Sequence, residues 1–365
     1  MSTISDFGRS VRLSLDGMTS SQLGVLAVSG GSLLATVALF LLNSSATGIP
    51  FVVCVAAVGY GWATEQSLMA KALTFVATVS TVAILGLIAV FVILESLPAA
   101  EVMSDTIFGI TIPGLGMLTK AQPPYWASRE NVFSMLPMIY GTFVTTVLAI
   151  LVAGPLGIAG ALFIAEIAPT WAREIVKPGI EILAGIPSIV YGFIGFVIIN
   201  QYTQDVLGTS YGSLFSVGLV IGLMALPTVV SVAEDAITSV PEDMKRGSMG
   251  VGATDWQTMK SVTLPAAFSG VAAAVLLGVG RAIGETMAAT VMLGHAQDIP
   301  DPIYDIFFNG ETLTSLIASQ YGNAHGVHMN ALYAAGVILF VTVTVISVAS
   351  QVIEWRMKEK LEGNA

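Results

Sequence analysis

The chain has 365 residues, with 14 Lys and Arg against 24 Asp and Glu, for a formal net charge of −10. Only 10% of residues are charged, 55% are hydrophobic and mean hydropathy is +0.82, whereas soluble domains carry about 25% charged residues. A soluble globular enzyme, a disordered chain and a nucleic-acid binder are excluded, because such a soluble fold could not cover its apolar surface and no basic patch exists.

The remaining class is an all-α polytopic membrane protein. A bilayer core about 30 Å thick needs about 20 mostly apolar residues per helix. Eight stretches meet that requirement: 24–42, 48–63, 72–94, 136–164, 180–199, 214–232, 270–293 and 331–353. The second is the shortest. Residues 1–22 are polar, and no small-residue cleavage site follows the first apolar run, so the N-terminus reads as uncleaved. Cys54 lies in an apolar run and reads as a small buried hydrophobe.

Basic residues set the expected orientation. With eight spans, Arg9, Arg12, Lys71, Arg173, Lys177, Lys245, Arg246, Lys260, Arg356, Lys358 and Lys360 share one side with both termini. Only Lys120 and Arg129 fall on the other side, and Arg281 lies within a span. Both termini are therefore expected in the cytoplasm, and this bias supports the short second span. The outer side carries nine acids and two bases, a field that opposes an approaching anion.

Two outer loops, 95–135 and 295–330, and one inner loop, 233–265, are long enough to carry structure. In the inner loop, Ser239, Pro241 and Glu242 form a capping-box pattern, and Gly250 and Gly252 offer a stop. Thr254 and Gln257 open a second helix carrying Trp256 and Met259, closed by Leu264 and Pro265. On pattern alone this is either an amphipathic hairpin joining two spans or a knob for a pocket on a cytoplasmic partner.

The seventh span contains Arg281 and Glu285. An ionisable residue deep in a helix costs at least about 2.5–3.5 kcal/mol. Their i, i+4 spacing predicts both on one helical face, able to pair. Such a pair either fixes helix packing or lines a solute path where a guanidinium fork meets an oxyanion. Gly278, Gly280 and Gly284 keep the helix narrow. Pro155, Pro187 and Pro227 are expected to kink three spans. His295, His325 and His328 read as surface histidines, and neither a metal nor a cofactor is expected. No phosphate-binding G-x-x-x-x-G-K-[ST] loop occurs, so any ATPase would be a separate chain.

Several of these segments resemble one family. Gly252, nine further residues and Val262-Thr263-Leu264-Pro265 are similar to half of the EAA loop of ABC importer permeases. The usual Glu-Ala-Ala is replaced by Arg246-Gly247-Ser248, with Glu242 and Asp243 one turn earlier. Residues 280–288 resemble the Gly-Arg-Ala-x-Gly-Glu-Thr-Met-Ala signature of the phosphate importer permease family PstC. Further similar segments are 136–142, 155–157, 166–169, 183–192 and 225–228 with Glu234.

The resemblance implies a type I ABC importer permease fold with about eight transmembrane helices, in the cell membrane and surrounded by lipid. It implies a PstA-like permease partner, a cytoplasmic ATPase dimer and an extracellular phosphate-binding protein, with no nucleic acid and no catalytic residue. Arg281 and Glu285 would line the substrate path. Glu242, Arg246, Gly252, Trp256, Leu264 and Pro265 would belong to the ATPase-docking loop. The chain would divide into an N-terminal extension (1–71) with two extra spans, a first core helix and outer loop (72–135), a core permease domain (136–355) and a cytoplasmic tail (356–365). The alternatives are a permease for another oxyanion such as molybdate or sulfate, an ion-coupled carrier working without an ATPase, and a regulatory protein that has lost transport.

Overall fold

The computed structural model describes residues 19–362. Arg9 and Arg12 of the charge count lie outside the described residues. The chain divides into two compact units, Met1–Val90 and Phe91–Ala365.

The first unit begins with α1 (Ser20–Leu41), opened by a reciprocal capping box between Thr19 and Gln22. A single 3-10 turn, Ser45–Thr47, leads into α2 (Gly48–Thr64), so the short second stretch does form a helix of spanning length. Gln22 Nε2 donates to Glu65 Oε2 at 2.9 Å and ties the start of α1 to the end of α2. Helix α3 (Gln66–Val102) runs 37 residues and contains the unit boundary.

The second unit continues with a hairpin, β1 (Asp105–Ile107) and β2 (Ile110–Ile112), then a short α4 (Gly116–Thr119) and the pair β3 (Trp126–Ala127) and β4 (Val132–Phe133). Helix α5 (Leu136–Leu162) follows and ends in a π-helical turn, Phe163–Ile167. Next come α6 (Thr170–Gly185), α7 (Ser188–Ile194), a second π turn (Gly195–Ile199) and α8 (Asn200–Leu207). Helix α9 (Leu214–Thr238) leads to α10 (Glu242–Gly250), α11 (Asp255–Thr258), a third π turn (Met259–Thr263) and α12 (Leu264–Ala266). The chain closes with α13 (Phe268–Ile283), α14 (Met287–Met292), α15 (Leu313–Gln320) and the long α16 (Val327–Glu362).

Helix α9 is the centre of this unit. In its most apolar stretch 61% of residues are buried, against 33% for α5. It packs along α5 and α13 through Ala153, Ala161, Ala225, Val229, Ala233 and Ala274. Lipid supplies no hydrophobic drive between helices, so small residues must let backbones approach. A Cβ on Gly222 would sit 2.9 Å from the Ala149 carbonyl oxygen, and one on Gly157 would sit 2.6 Å from Val229.

Three expectations about helices are corrected. The predicted span 180–199 crosses a 91° bend between α6 and α7. Ile186 is extended at ψ 127° because the following Pro187 disfavours the helical conformation before it. Pro187 therefore lies in the bend, whereas Pro155 and Pro227 lie inside α5 and α9. The predicted span 270–293 is interrupted, since α13 stops at Ile283 and α14 restarts at Met287. Ser239 does not cap α10; it closes α9, and Pro241 stands at the N-cap instead. The second expected box, Thr254 with Gln257, forms on α11.

Two of the histidines are not simple surface residues. His328 is half-buried, stacks on Phe133 at 5.9 Å and bonds Gln320 Oε1 at 2.8 Å, where Trp126 Nε1 also donates. His295 Nδ1 lies 2.9 and 3.0 Å from the two carboxylate oxygens of the fully buried Glu311, and its Nε2 lies 3.1 Å from the Thr290 carbonyl. Both ring nitrogens meet acceptors, which suits the imidazolium. The Glu311 backbone in turn touches α5 so closely that no Cβ fits at Gly141.

Two outcomes follow. Gly222→Val should lower the thermal unfolding midpoint of the detergent-solubilised protein, by overpacking of about 1–3 kcal/mol. The Glu311 hydrogen bond raises the His295 pKa above its usual 6.5. A raised pKa stabilises fully below the unfolded value and is lost as pH rises through the folded one. Amide protection across residues 294–312 should therefore fall on going from about pH 6 to about pH 9, and His295→Gln should remove that dependence.

Candidate functional site

Two places bring chemistry-bearing residues together. The first is the break between α13 and α14. Arg281 sits in the last turn of α13, about 20 Å along the helix from Phe268 at 1.5 Å per residue. Gly284 closes the helix, and Glu285 and Thr286 form the link to α14. The expected Arg281–Glu285 ion pair is absent among the described residues, because the helix that would align the two has ended. Glu285 Oε1 instead accepts from the Ala288 N–H at 3.0 Å, meeting one of the unpaired donors at the start of α14. The Glu285 carbonyl accepts from Thr314 Oγ1 of α15 at 2.7 Å.

Arg281 is exposed, and its side chain makes no hydrogen bond or ion pair among the described residues. It lies within electrostatic reach of the Tyr191 hydroxyl, which donates to the Leu183 carbonyl at 3.0 Å across the α6–α7 bend. Gly280 and Gly284 are also exposed, while Ala282 and Ile283 are buried on the other face. The break therefore presents a guanidinium whose five donors remain available, beside glycines that leave room for a solute. Sequence spacing alone could not identify Thr314 and Tyr191 as neighbours of this break.

The second place is the loop that leaves α9. Trp256 is 65% exposed, with Met244, Met249 and Val251 also outside. Gly252 takes φ +95° and reverses the chain between α10 and α11, a conformation that favours glycine. Thr258 Oγ1 donates to Ser248 Oγ at 3.1 Å and holds the two short helices together. Arg246 is exposed; Leu264 and Pro265 open α12.

Below this loop lies a residue that sequence reasoning counted only as an inner charge. Lys245 Nζ donates to Glu166 Oε1 at 2.7 Å and lies 3.4 Å from Glu242 Oε1. The side chains of Lys245 and Glu166 are 8% and 16% exposed, that of Glu242 65%. Glu166 stands in the π turn ending α5, where the Ala168 N–H reaches the Phe163 carbonyl five residues back at 2.7 Å. A second bridge, Lys177 to Glu234 at 2.8 Å, ties α6 to α9.

Residues 157–359 match the family described as binding-protein-dependent transport system inner membrane component. The chain is 33% identical over 297 residues to the phosphate transport system permease protein PstC of Pasteurella multocida, covering 75% of this chain and 91% of the relative. It is 40% identical over 212 residues to the probable ABC transporter permease protein YqgH of Bacillus subtilis, covering 57% of this chain and 68% of the relative. A solved bacterial alginate ABC transporter, in complex with a pentasaccharide-bound periplasmic protein, aligns at TM-score 0.53 and 15% identity, covering 80% of this chain and 98% of that one. That likeness concerns the fold alone, and the fold is the all-α type I ABC importer permease arrangement expected from the sequence. A multi-pass membrane topology and the match across residues 157–359 agree: the chain belongs to the binding-protein-dependent transport system inner membrane component family.

Proposed function

We propose that this chain is a permease subunit of an ATP-driven phosphate importer and forms half of the path for inorganic phosphate. The observation that carries this reading is Arg281, an exposed arginine in a helix break with its fork uncommitted. A planar guanidinium binds phosphate oxygens bidentately and stays charged at any working pH. Glu285 is engaged by the Ala288 N–H at the start of α14 and makes no ion pair with Arg281. PstC relatives at about 33% identity support phosphate as the solute.

The inner loop is the surface for a cytoplasmic ATPase dimer, with Trp256 as its apolar anchor. Glu242 and Arg246 stand on α10, Gly252 makes the turn to α11, and Leu264 and Pro265 start the link into α13. A PstA-like permease completes the path, and an extracellular phosphate-binding protein delivers solute past the acidic outer loops. Both termini face the cytoplasm, the orientation that the distribution of basic residues favours. Residues 1–71 are an extension outside the core permease domain 136–355, which residues 72–135 precede and the tail 356–365 follows. The chain itself performs no covalent chemistry.

Two measurements test this. Labelled phosphate uptake in cells lacking the chain should return with the native sequence and be insensitive to sulfate and molybdate. With Arg281→Lys it should fall about 10- to 150-fold, the worth of one charge-assisted hydrogen bond; unchanged uptake would exclude bidentate contact. Trp256→Ala should lose the ATPase on co-purification while still inserting in the membrane. ATPase retained at native stoichiometry would remove Trp256 from the docking surface.

A further inference from the structure

Lys245 is a charged residue held out of water within a segment whose other side chains are mostly exposed. Its neighbours Met244, Arg246 and Gly247 are all exposed. A buried ammonium is tolerated only with a partner at close range, and removing one member of such a pair costs more than the pair contributes. That partner is Glu166 at 2.7 Å, on the end of α5. Glu242 is longer at 3.4 Å and lies on α10 itself, so it links the loop to nothing else. Asp255 lines the same cleft and leaves the site acidic around one ammonium.

The other end of α5 is linked to the break at Glu285 through the start of α15. Thr142 Oγ1 of α5 accepts from the Leu313 N–H at 3.0 Å, and the next residue, Thr314, donates to the Glu285 carbonyl at 2.7 Å. From Thr142 to Glu166 is 24 residues, about 36 Å at 1.5 Å per residue. One helix therefore touches the loop at one end and, at the other, the start of α15, whose Thr314 holds the backbone beside Arg281.

We infer that Lys245 is a positioning residue for transport: its ion pair with Glu166 clasps the inner loop to α5, and α5 carries movement of that loop to the α13–α14 break. The loop moves as one body because Ser248 and Thr258 join its two helices. The π turn that holds Glu166 is a local widening at the end of α5, the kind of distortion found at functional sites. The inference rests on reading the inner loop as the ATPase-docking element.

The test uses the complete importer, with its ATPase and phosphate-binding protein, in proteoliposomes. Lys245→Met should keep the ATPase bound and hydrolysing, while phosphate imported per ATP falls about tenfold, within the usual range of site-to-site coupling. Exchanging the charges, Lys245→Glu with Glu166→Lys, should restore most of that ratio. A merely structural role would lower assembly and hydrolysis together. Amide exchange on adding ATP gives a readout independent of the solute. In the native chain it should change at residues 242–250 and at 284–287; in Lys245→Met it should change only at the former.

A native ratio in Lys245→Met, or exchange still changing at 284–287, overturns the clasp. If Lys245→Met fails to assemble, the charge exchange decides: a restored ratio supports the clasp, and an assembled double variant that stays uncoupled overturns it. A native importer that moves no phosphate overturns the proposed function, and the amide-exchange comparison still decides the clasp.

Discussion

The second unit depends on how closely α9 can lie against α5 and α13. Between helices in lipid there is no hydrophobic gain to spend on a loose fit, so association rests on dispersion at short range and on the interhelical hydrogen bonds available. Gly157 on α5, Gly222 on α9 and Gly278 on α13 each leave no free space for a methyl group, with neighbours 2.6 to 2.9 Å from the missing Cβ. Alanines fill the positions between them. This close contact holds α9 and α5 against one another. The breaks elsewhere in the unit can then be local without loosening the whole.

Those breaks obey the second constraint of the bilayer, that backbone polar groups need partners inside the protein. At the α13–α14 link, Thr314 supplies a donor to one freed carbonyl and the Glu285 carboxylate supplies an acceptor to one freed N–H. At the α6–α7 bend the Tyr191 hydroxyl serves the Leu183 carbonyl. Glu285 is thereby committed to the backbone and leaves Arg281 without a counter-ion on its own helix. A paired arginine would have to give up a carboxylate before meeting an anion; an unpaired one in a break does not.

Much of the fold was legible because long apolar runs are strong, local signals. Even the short second stretch formed α2, and Thr254 with Gln257 formed the expected box. The errors came where helix-breaking residues lay inside an apolar run. Gly185-Ile186-Pro187 and Gly284 were visible as stop signals, but hydropathy runs straight across them, and treating 270–293 as one helix produced an ion pair that the ended helix cannot make. The site was legible in part. Arg281 stood out as a charge among apolar residues, whereas Thr314 and Tyr191 are ordinary residues placed by tertiary folding. Lys245 and Glu166 are 79 positions apart, and no periodicity connects them.

The two ends of the unit differ in how their charges are held. On the loop side, Lys245 and Lys177 each bridge to a carboxylate on a different helix, so the charges act as ties between elements. Around the break, the Arg281 side chain is tied to nothing, and the Glu285 carboxylate beside it accepts a backbone N–H. A tie that is buried and short resists separation, so force applied to α10 passes to α5 before it can open the cleft beneath the loop. A free guanidinium has the opposite property, since its geometry can follow a small shift of α13 relative to α15. Rigid coupling at one end and an uncommitted charge at the other is the combination needed to turn movement at the loop into a change in how tightly an anion is held.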